Sequence, residues 1–116
     1  MSRAVDGSKR KNHRKKILKL AKGYWGRRHS NYKTAKDAVT KGLFYAYRDR
    51  RDRKGDFRRI WIIRINAACR ELGFTYSRLI AGLDKAGIII NRKSLAYLAS
   101  EDKAAFKAIA EKAIGK

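Results

Sequence analysis

Arg48-Asp-Arg-Arg-Asp-Arg-Lys-Gly-Asp-Phe-Arg-Arg59 runs directly into Ile60-Trp-Ile-Ile-Arg-Ile-Asn-Ala-Ala-Cys-Arg-Glu-Leu72. Both belong to a longer stretch, Ser30 to Leu72, that holds no proline and only two glycines, Gly42 and Gly55. That composition predicts one helix of about 40 residues, roughly 60 Å long at 1.5 Å per residue. The apolar second half can anchor in a core. The first half cannot, because at about 100° per residue Arg48, Arg50, Arg51, Arg53, Lys54, Arg58 and Arg59 point in nearly every direction. A helix cationic on all sides repels itself and is stabilised when polyanion surrounds it. Asp49, Asp52 and Asp56 share one flank and are expected to pair with Arg53, Arg48 and Arg59 respectively, either as weak in-helix ion pairs or as guides for arginine forks.

Working outward, the charge is uneven. The chain has 116 residues and a net charge of +21. Residues 1–59 hold 21 lysines and arginines against 5 aspartates, a net +16, and residues 60–116 hold 10 against 5, a net +5. Most large aliphatic residues lie after position 59. The expected organisation is therefore a basic helical extension over 1–59, unable to bury a core, and a compact all-α domain over 60–116. The whole is all-α: there is no proline, and Lys, Arg, Ala, Ile and Leu abound. So much positive charge calls for a counter-polyanion, and nucleic acid is the densest available. No run of eighteen apolar residues and no signal-peptide pattern is present, so neither a membrane span nor secretion is expected. A single cysteine, Cys69, excludes an internal disulfide and fits a reducing compartment.

Before the long helix, Met1 to Ser8 reads as extended and Lys9 to Lys22 as a helix that forms when phosphates neutralise it. Its bases are Lys9, Arg10, Lys11, Arg14, Lys15, Lys16, Lys19 and Lys22, with His13 among them. A basic amphipathic membrane helix is the rival reading, weakened by the small apolar face and the lack of aromatics. Gly23-Tyr24-Trp25-Gly26 reads as a turn. Tyr24 and Trp25 either pack on neighbouring helices or stack on unpaired bases. Arg27, Arg28 and His29 follow, and Ser30 or Asn31 caps the long helix. Lys33 extends the basic set. Ala35, Ala38, Val39, Leu43 and Ala46 form a small-residue face that could receive the first helix.

After the long helix, Gly73 reads as its stop and Thr75 as the cap of Tyr76 to Lys85, which Gly87 ends. Ile88-Ile89-Ile90 is expected to be an extended connector with buried isoleucines. Asn91 caps Arg92 to Ala99. Ser100 caps the last helix, with Glu101 and Asp102 in its first turn and Gly115 at its close. The expected core is Ile63, Ala67, Leu72, Phe74, Leu79, Leu83, Leu95, Leu98, Phe106 and Ile109.

Nothing in the sequence suggests catalysis. His13 and His29 have no partner at ligand spacing, Cys69 alone makes no metal site, and no glycine-rich phosphate loop follows a strand. No enzyme activity, cofactor, metal or small-molecule substrate is expected.

Lys15-Lys16-Ile17-Leu18-Lys19-Leu20-Ala21-Lys22-Gly23-Tyr24, Tyr45-Ala-Tyr-Arg-Asp-Arg-Arg51 and Trp61-Ile-Ile-Arg-Ile-Asn-Ala-Ala68 resemble the twentieth protein of the bacterial large ribosomal subunit. Tyr76-Ser-Arg78, Asn91-Arg-Lys93 and Asp102-Lys-Ala-Ala-Phe106 extend the resemblance over essentially the whole chain. Asp6 dilutes the arm that is usually very basic in that family, and Cys69 stands where a small residue is usual. The resemblance implies a cytoplasmic ribosomal protein whose basic extension threads into 23S rRNA. Its C-terminal domain would sit on the subunit surface beside neighbouring large-subunit proteins, with a role in early assembly. Arg78, Arg92 and Lys93, together with Arg64 and Arg70, are candidate contacts from that domain, or else a solvated surface. Some members repress translation of their own messenger, and the same is an open expectation here. The alternative is a DNA-compacting or transcription-regulating protein, since Gly73 to Lys85 loosely resembles a helix-turn-helix. A cationic stretch on all helix faces suits an RNA interior better than one DNA groove.

Overall fold

The computed structural model describes residues 7–115. Five α-helices and one short 3-10 helix follow in order: α1 (Gly7–Leu20), a 3-10 turn (Gly26–His29), α2 (Tyr32–Glu71), α3 (Tyr76–Lys85), α4 (Arg92–Glu101) and α5 (Lys103–Ile114). No strand occurs among the described residues, as the all-α expectation requires. The extended reading of Met1 to Ser8 falls mostly outside the described residues, but Gly7 and Ser8 already belong to α1. The chain divides into two compact units, Met1–Arg51 and Asp52–Lys116.

In the first unit, α1 is exposed almost throughout. Apolar burial is confined to Ala21, Ala35 and Val39, with Leu18 and Tyr24 packed against them. The N-terminal half thus does bury a cluster, contrary to expectation, though one built from three small side chains. Leu43 and Ala46, expected on the same face, are exposed. Asn31 takes the capping position of α2, its carbonyl accepting from Ala35 N–H at 2.7 Å.

The second unit holds the main core: Ile65, Ala68 and Cys69 from α2, Leu79 and Leu83 from α3, Leu95, Ala96 and Ala99 from α4, and Phe106, Ala110 and Ala113 from α5. Both α3 and α4 pack on α5. The apolar end of α2 has two stripes at helical spacing, and the one that faces the core is not the expected stripe of Ile63, Ala67 and Leu72. Ile63 is 61% exposed, Ala67 and Leu72 are exposed as well, and Ile65 is fully buried. Trp61, Ile65, Ala68 and Cys69 form the inward stripe, and Ile63 and Ala67 lie on the outward side of the same helix. Phe74, Leu98 and Ile109 are half-buried against the core, and Leu79, Leu83, Leu95 and Phe106 are buried as expected.

The glycine stops are sharp. Gly73 has φ +84, Phe74 N–H donates to Cys69 O at 3.1 Å and Gly73 N–H to Arg70 O at 3.1 Å. This paired closure needs a left-handed residue, which glycine adopts without strain. α3 ends the same way at Gly87, with Ile88 N–H donating to Leu83 O. Thr75 precedes α3 as expected, but its side chain makes no capping bond. Asn91 Oδ1 accepts from Ser94 N–H at 2.8 Å, the expected cap of α4.

Two expectations after Gly87 fail. Ile89 is 99% exposed, so the connector buries only parts of Ile88 and Ile90. An extended backbone points successive side chains to opposite sides, and one side here faces outward. Ser100 does not start the last helix. Its hydroxyl donates back to Ala96 O and Tyr97 O, inside α4. Asp102 breaks the helix with φ −134 and ψ 79, and its Oδ1 accepts from Ala105 N–H at 3.0 Å, so Asp102 is the cap of α5 and Glu101 the last residue of α4.

Candidate nucleic-acid interface

Charge repulsion and the lack of apolar partners keep the bases of the first half at the surface. Every lysine and arginine from Lys9 to Arg59 is exposed. On α1 these are Lys9, Arg10, Lys11, Arg14, Lys15, Lys16 and Lys19, with His13 exposed beside them and Lys22 in the turn that follows. Arg14 alone of these sits over an aromatic face, its guanidinium carbon 5.2 Å from the Tyr32 ring centre. Arg27 and Arg28 lie on the 3-10 turn and Lys33 on the first turn of α2.

The Gly23–Gly26 turn separates its two aromatics. Gly23 and Gly26, on either side of the two aromatics, have φ +90 and +65. Tyr24 folds inward onto the Ala21, Ala35 and Val39 cluster. Trp25 projects outward, 90% exposed. The His29 imidazole Nδ1–H donates to the Tyr24 carbonyl at 3.1 Å and braces the turn. The two aromatics therefore have different surroundings, which the tetrapeptide alone does not reveal.

In the middle of α2, Arg48, Arg50 and Arg51 close the first unit, and Arg53, Lys54, Arg58 and Arg59 open the second. Arg48 Nε donates to Asp49 Oδ1 at 2.9 Å, so Asp49 is held by its sequence neighbour rather than by Arg53. The Arg51 guanidinium lies 3.7 Å from the Tyr47 ring centre and donates to the Tyr47 carbonyl at 3.1 Å. Lys41 and Arg48 flank the Tyr45 ring at 5.1 and 4.8 Å. This alternation of cations and exposed aromatics, with Phe44 beside Lys41 at 5.8 Å, was missed in the sequence. The signal was there: aromatics three and four residues from a base share a helix face.

In the second unit Arg78 and Lys93 are exposed. Arg92 is half-buried and donates from Nε to Tyr76 Oη at 2.7 Å, tying the start of α4 to the start of α3. Arg64 and Arg70 are exposed on α2. Burial pushes the Cys69 thiol up from 9.0 to about 11, which makes it a poor nucleophile. No group of three or more His, Cys, Asp or Glu among the described residues could hold a metal ion, and none of their helices is long and apolar enough to cross a membrane.

These features define a class: an all-α protein with a small helical core and a large, exposed, strongly cationic surface interleaved with aromatics. A family model described as Ribosomal protein L20 matches residues 3–109. The chain is 55% identical over 118 residues to large ribosomal subunit protein bL20 of Treponema denticola, across 99% of both chains. It is 58% identical over 109 residues to bL20 of a Hydrogenobaculum species, across 94% of each. With bL20 of a Methylobacterium species identity is 61% over 99 residues, 85% of this chain and 79% of the relative. The chain belongs to the ribosomal protein L20 family. That family is a structural, non-enzymatic component of the ribosome, so this protein serves translation in the cytoplasm without catalysing a reaction.

Proposed function

We propose that this protein binds 23S rRNA directly, as part of the large subunit, and supports early assembly of that subunit. The observation that carries the reading is that every lysine and arginine from Lys9 to Arg59 is exposed. Twenty exposed cations are self-repelling in isolation and gain affinity by releasing the counterions of a polyanion. Arginines such as Arg48, Arg50, Arg53, Arg58 and Arg59 offer two-pronged forks to phosphates where RNA helices converge. Recognition would rest on RNA shape and 2′-hydroxyls, with Trp25 available for an unpaired base. In this reading residues 1–59 act as the RNA-threading extension and residues 60–116 as the globular part, offering Arg78 and Lys93 to RNA and the remaining surface to neighbouring large-subunit proteins. Arg92 would contribute while held by Tyr76. The relatives' name, large ribosomal subunit protein, supports this reading. A site on the chain's own messenger that resembles the rRNA site would be bound through the C-terminal domain, residues 60–116, and give feedback repression.

Crosslinking the protein to RNA in assembling subunits, and reading the sites on both molecules, tests the proposal. Crosslinks concentrated between Lys9 and Arg59 and 23S rRNA are expected. Competition between 23S rRNA and duplex DNA at one salt concentration is the second arm, and preference for the duplex would overturn the reading. Expression of a reporter behind the chain's own leader, with and without excess protein, tests the repression.

A further inference from the structure

We infer that the cavity between the Gly23–Gly26 turn and α2 is a pocket for a single flipped-out guanine of the bound RNA; the inference rests on the RNA-binding reading above. The cavity has a volume of about 400 Å³, near the small end of the range for small-ligand pockets, roughly 300–1,000 Å³. Tyr24 and Tyr45 line it with aromatic surface. Gly42 lets the Tyr24 ring come close to α2: a Cβ there would lie 3.0 Å from Tyr24 Oη. Arg28 and Lys41 also line it and supply two cations for the phosphates on either side of an extruded nucleotide.

Asp37 decides the base. It lines the same cavity, within a half of the chain where lysines and arginines outnumber aspartates 21 to 5, and it makes no hydrogen bond or ion pair among the described residues. Lys33 and Lys41 stand four residues away on either side without pairing to it. A carboxylate only accepts hydrogen bonds, and RNA phosphates repel it, so a base beside it must present donors. Guanine alone offers two adjacent donors on its Watson–Crick edge, N1–H and the N2 amino group, matching the two oxygens of the carboxylate. Adenine and cytosine each place a ring-nitrogen acceptor beside one amino group. Uracil places its single N–H between two carbonyls. Charge-assisted pairs of this two-pronged kind are among the stronger hydrogen bonds.

The test uses the full chain and four RNA hairpins that are identical except for one bulged nucleotide, G, A, C or U, at one salt concentration, with an unbulged hairpin and an inosine bulge added. The G bulge is expected to bind about tenfold tighter than the other three. Inosine, which lacks the N2 amino group, should fall between. Asp37→Asn should remove the preference for G while leaving affinity for the unbulged hairpin equal or higher, because a negative charge is lost. Equal affinity for all four bulges, or a preference for another base, would overturn the pocket while leaving RNA binding intact. A G preference that survives Asp37→Asn would also overturn it. Failure to bind any of the hairpins would instead remove the RNA-binding reading beneath it.

Discussion

Gly82 on α3 meets the backbone carbonyl of Ala113 on α5 so closely that any Cβ at position 82 would collide with it. The collision is with main chain, which cannot swing aside like a side chain, so the α3–α5 approach depends on the missing side chain. Gly82→Ala is therefore expected to destabilise the protein by about 1–3 kcal/mol, in spite of alanine's better helix propensity. A thermal melt followed by circular dichroism should show a fall of several degrees per kcal/mol, about 4–8 °C for a small domain. An unchanged or higher midpoint would mean that the two helices have room to separate.

The start of α5 separates two candidate caps. Asp102→Ala should cost about 1 kcal/mol, because the Ala105 N–H loses its acceptor. Ser100→Ala should stay within about 0.5 kcal/mol, since that hydroxyl only bonds back to carbonyls already inside α4. Urea unfolding of the two variants checks the order, and the reverse order would move the helix start two residues earlier.

Cys69 provides a pH signature. Its thiol titrates near 9.0 in an ordinary setting and at about 11 in the folded protein, because burial disfavours the thiolate. The unfolded state therefore releases this proton first as pH rises. The cysteine's contribution to stability is complete below about pH 9 and is lost as pH climbs toward 11. Alkylation by iodoacetamide at pH 8 should be slow for the folded chain and rapid in urea. The alkaline loss of stability should shrink in Cys69→Ala, and fast alkylation of the folded protein would contradict the burial.

Tyr24 and Trp25 are neighbours with opposite surroundings. Tyr24→Ala should loosen the packing of α1 on α2 and accelerate proteolysis within residues 1–51. Trp25→Ala should leave protease resistance unchanged, yet weaken binding to 23S rRNA by about 1–3 kcal/mol, the usual worth of one stacked base. Exchanged phenotypes would reverse the two assignments.

Much of the architecture was legible in residue order. Glycines at 73, 87 and 115 stop three helices in the left-handed conformation, and Asn91 caps α4. Such signals are local: the hydrogen bonds that make them span five residues or fewer. The cationic surface was legible for the same reason, because bases without apolar or acidic company stay exposed wherever the chain goes. The aromatic–cation alternation around Tyr45 and Tyr47 was not legible in the same way, because apolar bulk on a helix resembles core until its partners are known.

Sequence by itself determined that this protein is all-helical, where most helices end, and which half carries most of the positive charge. Tertiary structure alone decided that Ile65 rather than Ile63 faces the core, that Asp102 rather than Ser100 opens α5, that Ile89 faces outward, and that Trp25 is presented while Tyr24 is tucked away. The physical reason is common to all four. Each choice lies between two residues of similar chemistry a few positions apart, and only the location of elements brought in from elsewhere in the chain makes one side of the backbone inside and the other outside.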